Sequence, residues 1–429
     1  MEERIVTGNP TLSYEQWKKH SLLLYDALIN QSLVHPSPCF RWGRVVSEEP
    51  THSVQRIYYS ERGANPNSVV IANAKLAKPR LTDPIKMDKF DEYASSSSIS
   101  VVVRLETPDK TEVNKLYTCE QARNLLIAKS DLNQLHIWNM SDVTTASPTA
   151  TLSGHSEASC ESNFALDTSR DVNPKVLSGD KEGSILMWDI GAVVKDPQLG
   201  MDVPAQTEFH GHSETVEDVC FRPSSAHEFC SVGDDQLLLF WDHRKGKKPV
   251  LSVPKWCDVD LHCVDWNPAD ENLLVTGGAD GGTFVFDKRK VAGPNNEASP
   301  LHPLKEHQDA VFRVGWLPES RTHFGSGGED SLIYVWDTAR CGMQAPPGDE
   351  EGGPPEVIFR HAGHRGSVQD LQWNPKDPWC MASVSEDASW AQGGGTLQIW
   401  RPNDFVYRSD EDCMRELDKL QNDLKGAMD

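Results

Sequence analysis

The sequence predicts an all-β protein, a seven-bladed β-propeller with an α-helix before it and a short helix after it. Three observations carry this reading. Trp188-Asp189, Trp241-Asp242, Phe286-Asp287 and Trp336-Asp337 each close a segment of about 50 residues, and Trp138-Asn139 and Trp400-Arg401 are looser copies. Gly154-His155, Gly211-His212, Glu306-His307 and Gly363-His364 stand upstream of four of these ends. The residues leading into the ends are β-branched or aromatic, as in Phe284-Val285-Phe286 and Ile333-Tyr334-Val335, which suits a pleated, half-buried surface. A Gly-His start and a Trp-Asp end at this interval mark one four-stranded blade.

Residues 13–33 are expected to form the first helix. Ser13 and Gln16 make a capping box, each side chain satisfying a free backbone N–H. Tyr14, Trp17, Ser21, Leu24, Tyr25 and Leu28 recur at helical spacing, and Pro36 and Pro38 prevent continuation. Strand-like runs at 55–60 and 68–74 flank a Gly-Ala-Asn-Pro-Asn turn and make a first blade without a Trp-Asp end. The serine-rich stretch 82–98 reads as a mobile loop. Six repeats follow from about residue 99 to residue 400, giving seven blades with the early hairpin. Their inner turns carry Gly and Asp, as at 233–235, 278–281 and 328–330, because glycine tolerates positive φ and the carboxylate bonds nearby N–H groups.

Two insertions break the period. One, at 341–355, contains Asp349-Glu350-Glu351 followed by Gly-Gly-Pro-Pro; the other is a glycine-rich hairpin extension at 389–395. Residues 409–425 read as a short acidic helix with Met414, Leu417, Leu420 and Leu424 on one side. The expected division is 1–37 for the N-terminal helix, 38–408 for the propeller and 409–429 for the C-terminal helix.

Composition narrows the function. The chain has 64 acidic and 42 basic residues, a net charge of −22, so direct nucleic-acid binding is not expected, since such binders show a basic footprint. The charge serves either solubility or attraction of a basic protein partner. No apolar run approaches the length of a membrane span, and MEERIVTGNP lacks the apolar core of a signal peptide. Ten scattered cysteines without a Cys-x-x-Cys pair read as reduced thiols of cytosol or nucleus, not a disulfide frame or a zinc site.

No catalytic residue is expected. His155, His212, His307 and His364 recur at one blade position, which is the mark of a strand-holding hydrogen-bond network. Asp218 and Asp370 are expected to complete that network with the Trp-Asp ends. No nucleophile elbow, phosphate-binding loop or metalloprotease motif occurs, and no cofactor or metal is implied.

Several stretches resemble one family. Tyr14-Glu15-Gln16-Trp17-Lys18-Lys19, Leu24-Tyr25-Asp26, Arg41-Trp42-Gly43, Thr111-Glu112-Val113-Asn114-Lys115, Val216-Glu217-Asp218-Val219 and Ser231-Val232-Gly233-Asp234-Asp235-Gln236 are similar to segments of the retinoblastoma-binding, MSI-like WD40 histone-binding proteins. The segments at 260–268, 361–365 and 393–401 resemble the plant FVE-type branch. The resemblance spans nearly the whole chain and implies a non-enzymatic nuclear adaptor of chromatin complexes, of the deacetylase, Polycomb-type or remodelling kinds, acting in transcriptional repression.

It implies two binding surfaces. An acidic channel mouth would take an H3-like basic tail through Glu112, Asn114, Glu217, Asp234, Phe312 and Glu386, by charge-assisted hydrogen bonds. A groove beside the N-terminal helix would take the first helix of histone H4, with Leu23, Leu24, Ala27 and Leu28 as apolar wall and Asp349, Glu350 and Glu351 as acidic rim. Ala310, His262 and Ala388 depart from the family at the mouth, and 160–164 does not align cleanly, so a differently tuned tail site is expected. A second role, substrate receptor of a cullin-4 ubiquitin ligase, rests on Trp241-Asp242-His243-Arg244, which fits a Trp-Asp-x-Arg box for the ligase adaptor. The same four residues also read as an ordinary repeat end. Arg244-Lys245-Gly246-Lys247-Lys248 reads equally as an import signal or a solvated loop.

Overall fold

A computed structural model describes residues 10–415, except 64–65, 80–96, 120–123, 142–146, 158–163, 172, 197–199, 254, 292–298, 345–352, 392, 409–410 and 412–413. Among the described residues, seven sheets, built mainly of antiparallel pairs, form the blades. Blade 1 holds Phe40–Glu48, His52–Glu61, Ser68–Ala77 and Ile99–Glu106, so residue 99 begins the last strand of this blade, not the second repeat. The first strands of blades 2 to 7 are Val113–Thr118, Leu166–Thr168, Val216–Phe221, Leu261–Trp266, Val311–Trp316 and Val368–Trp373. Each first strand touches the first strand of the next blade, and that of blade 7 touches Phe40–Glu48. The seven therefore close a ring around a central channel, and the expected all-β propeller is the fold observed. The apolar core lies between blades, in clusters such as Phe209, Phe229 and Trp241 of blades 3 and 4.

The N-terminal segment differs from the expected helix. Helix α1 spans Pro10–Leu24, and Tyr25–Leu33 is a strand, β1. The helix starts at Pro10, which suits a first turn because its missing N–H has no intrahelical partner there. Ser13 and Gln16 thus lie within the helix and do not cap it. β1 pairs antiparallel with Gly395–Pro402, Leu28 opposite Trp400 and Gln31 opposite Leu397. The C-terminal repeat supplies three strands of blade 7, so their free edge recruits β1, and ladder hydrogen bonds outweigh local helical spacing. Arg401 locks this closure: it donates to Asp26 at 2.8 Å, to Asp377 at 2.6 Å and to the Ala77 carbonyl at 3.0 Å. An arginine in the place of the usual repeat-end Asp is thereby explained.

The repeat histidines are structural, with a correction to their partners. In blade 4, His212 lies 2.7 Å from Ser231 Oγ, Trp241 donates to the same oxygen at 2.8 Å, and His212 Nδ1 faces Asp235 at 2.9 Å. His307, Ser326, Trp336 and Asp330 repeat this in blade 6. The carboxylate thus comes from the turn after the second strand, not from Asp218 or Asp370. Those two line the channel and stitch neighbouring blades: Asp218 accepts the Val264 N–H at 3.2 Å and Asp370 the Phe40 N–H at 3.1 Å. In blade 7 no Asp faces the ring; His364 meets Ser385 and Thr396, and burial with Arg365 nearby pushes it down to about 3, so it stays neutral.

Candidate functional site

In an antiparallel blade the first strand begins where the second ends. Glu112, Glu217 and Phe312, at the starts of first strands, therefore meet Asp234 and Glu386, at the ends of second strands, at one mouth of the channel. One backbone device aims the side chains. The register slips between Val113 and Lys115, Val216 and Asp218, Leu261 and Cys263, Val311 and Arg313, and Val368 and Asp370. Five blades thus carry a bulge at the second residue of the first strand, and a bulge redirects its extra residue. The residues so placed are Asn114, Glu217, His262, Phe312 and Gln369. Gln369 had no sequence signal beyond its repeat position.

The mouth has two halves. In one, Glu217 is pushed up to about 7 by burial, helped by Asp234 and Asp218. Asp234 is raised by burial, and His262 is lowered by burial against the opposing pull of Asp234, Asp260 and Glu329. The His262 and Phe312 rings lie 5.9 Å apart, which sets an aromatic wall beside the acids. In the other half, Arg62 stands between Glu112 at 3.3 Å and Glu386 at 3.6 Å, all three partly exposed. Arg62 was not foreseen, because the blade 1 hairpin that carries it lacks the repeat motif. Asn114 is buried and donates to Asp131 at 2.7 Å. It therefore holds the Asp131 turn and offers no free surface to a guest.

The flank of blades 6 and 7 forms a second surface. Tyr14 and Trp17 of α1 are buried, stacked with centroids 5.7 Å apart, and Trp17 donates to the Tyr25 hydroxyl at 2.7 Å. That hydroxyl lies 2.6 Å from His361 Nδ1. A Cβ at Gly363 would stand 2.7 Å from the Trp17 ring, so glycine lets the helix seat there. Trp390, in the glycine-rich extension, approaches Tyr14 at 6.0 Å. Leu23 remains 76% exposed. Leu24 and Leu28 are partly buried against the blade 6–7 core. Ala27 and Leu28 belong to β1 and not to the helix, a correction to the expected four-residue helical wall. Phe405, 66% exposed, follows Asn403, whose N–H bonds the Leu24 carbonyl at 2.8 Å. Phe405 thus adds an apolar group next to the end of α1 that sequence reasoning missed. Asp349, Glu350 and Glu351 lie outside the described residues, as do 82–96 and most of 409–425.

At the repeat end of blade 4, Arg244 clasps Asp242 through two bonds of 2.8 and 2.9 Å, and Trp241 is buried. Arg289 clasps Asp287 in the same way in blade 5, at 2.9 and 2.6 Å. Among the described residues, no cluster of three or more His, Cys, Asp or Glu is placed to hold a metal, and no helix is long and apolar enough to cross a membrane.

Repeats at 204–242, 298–337 and 355–401 match the WD domain, G-beta repeat, which defines the class as a WD40 propeller. Residues 13–78 match the family of histone-binding protein RBBP4, a component of the CAF1 complex. The chain is 38% identical over 440 residues to WD-40 repeat-containing protein MSI4 of Arabidopsis thaliana, covering 95% of this chain and 85% of the relative. It belongs to the MSI-like, RBBP4-like family of WD40 histone-binding proteins.

Proposed function

We propose that this chain is a non-enzymatic, nuclear adaptor that brings histones to chromatin-modifying complexes of the deacetylase, Polycomb-type or remodelling kinds, and so represses transcription. The observation that carries this reading is the set of bulges that turns Glu217, His262 and Phe312 to one channel mouth beside Asp234. Buried carboxylates grouped beside an aromatic wall suit a guest that brings cations on a narrow chain, such as an H3-like tail. The second surface takes the first helix of histone H4: Leu23, Leu24, Leu28 and Phe405 supply apolar contact, and Asp349, Glu350 and Glu351 supply the acidic rim.

Calorimetric titration tests both sites at once. Charge reversal at Asp349, Glu350 and Glu351 weakens an H4 first-helix peptide and spares an H3-tail peptide. Equal loss of both, or of neither, sinks the two-site reading. A second role as cullin-4 ligase substrate receptor has its own support, since Arg244 and Arg289 present the same Asp-clasped guanidinium on adjacent blades. Its test is co-purification of a ligase adaptor with the native chain but not with an Arg244→Ala, Arg289→Ala variant.

A further inference from the structure

The channel end opposite the acidic mouth holds a cavity of 390 Å³. Its walls carry cations from four blades: Arg41 of blade 1, Arg170 of blade 3, Arg313 of blade 6 and Lys376 of blade 7. The indole N–H groups of Trp42, Trp316 and Trp373 are engaged by the Gln372, Asp265 and Gly315 carbonyls, so these residues present carbon to the cavity. Asp265 is the carboxylate of the lining, and it already accepts the N–H groups of Trp316 at 2.7 Å and Trp266 at 3.0 Å. Asp167 joins it in a smaller adjoining pocket, where it accepts the Phe221 N–H at 2.6 Å. Deeper, Asp370 pairs with Arg41 at 2.6 Å, and Asp218 and Asp370 pair with Arg313 at 2.9 and 3.2 Å. Arg41 keeps a buried Nη2 amine without a hydrogen-bond partner, and such a donor favours an acceptor.

We propose that this cavity binds a phosphate-bearing small molecule. Guanidinium forks match phosphate oxygens in pairs, and three of them around one space favour a group with more than one negative charge over a single carboxylate. The volume lies in the range of small-ligand pockets. A chain of net charge −22 repels anions at large, so saturable uptake of one reports a built site and not general attraction.

The test is calorimetric titration of the full chain with inorganic phosphate, pyrophosphate and citrate. Pyrophosphate is expected to bind saturably at one site per chain, more tightly than citrate. Arg170 and Lys376 are exposed, so an Arg170→Glu, Lys376→Glu variant keeps its thermal midpoint and binds pyrophosphate at least tenfold more weakly. Lys195→Glu, at an exposed lysine outside the cavity lining, leaves binding unchanged. Absence of saturable pyrophosphate binding, equal affinity for citrate, or no difference between the double variant and Lys195→Glu overturns the proposal.

Discussion

The two ends of the central channel are made by the same ring of first strands yet carry opposite chemistry. At the mouth, bulged second residues place Glu217, His262 and Phe312 beside Asp234. At the far end, Arg313 of blade 6 and Arg41 of blade 1 line the cavity. Between them Asp218 and Asp370 pair with these arginines, so the middle of the channel is a buried, nearly balanced ion network. A propeller thus separates charge along its axis by strand position, with little change to its blades.

The largest expected effect comes from breaking that divider. Arg41→Ala leaves Asp370 buried with one guanidinium fewer, and removal of one member of a buried pair costs about 3–5 kcal/mol. A denaturant titration showing less than about 1 kcal/mol would mean that the network does not join the blades. Next, Asp234→Lys places a cation in the acidic half of the mouth. We expect roughly a hundredfold weaker tail-peptide binding with unchanged H4-helix binding, in keeping with the cost of like charges in an interface.

A smaller effect concerns pH. Glu217 sits near 7 in the free chain, and a cationic guest favours its ionised form. Tail affinity therefore rises with pH through about 7, and falls by up to about tenfold between pH 8 and pH 6. In Glu217→Gln this slope disappears, and calorimetry at three pH values reads it. For stability the sign is opposite: the raised carboxyl holds its proton longer folded than unfolded, so its contribution falls as pH climbs from the ordinary carboxylate range to about 7. The smallest effect is at Arg62. Its two partly exposed pairs contribute about 1 kcal/mol or less, and Arg62→Ala frees Glu112 and Glu386 for the guest. Tail affinity is expected to rise a few-fold, most at low salt; a fall would show that Arg62 itself touches the guest.

Much of the propeller was legible because each blade repeats one strand-holding network. His212, Trp241 and Asp242 announce a blade wherever they recur. The mouth was legible in part: Glu217 and Asp234 were readable as acids at corresponding repeat positions. Arg62 and Gln369 were not, since one lies in a blade without the motif and the other is an uncharged residue whose exposure depends on a bulge. The region 25–33 misled for a simple reason. Tyr25 and Leu28 fit a helical stripe, while Tyr25, Ala27, Ile29, Gln31 and Leu33 equally fit the alternation of a strand, and only the free edge at Gly395–Pro402 decides between them.

Local pattern therefore settled the blade count, the core tryptophans and histidines, and the acidic character of the mouth, because these follow from spacing that recurs along one chain. The closure of the ring, the pairing of Asp218 and Asp370 with Arg313 and Arg41, and the separation of acid from base along the channel were decided in three dimensions. Each joins residues from different blades, some more than 300 positions apart in sequence, such as Arg41 and Asp370. Ion pairs across that distance leave no periodic trace, since either partner alone reads only as a buried charge in a strand.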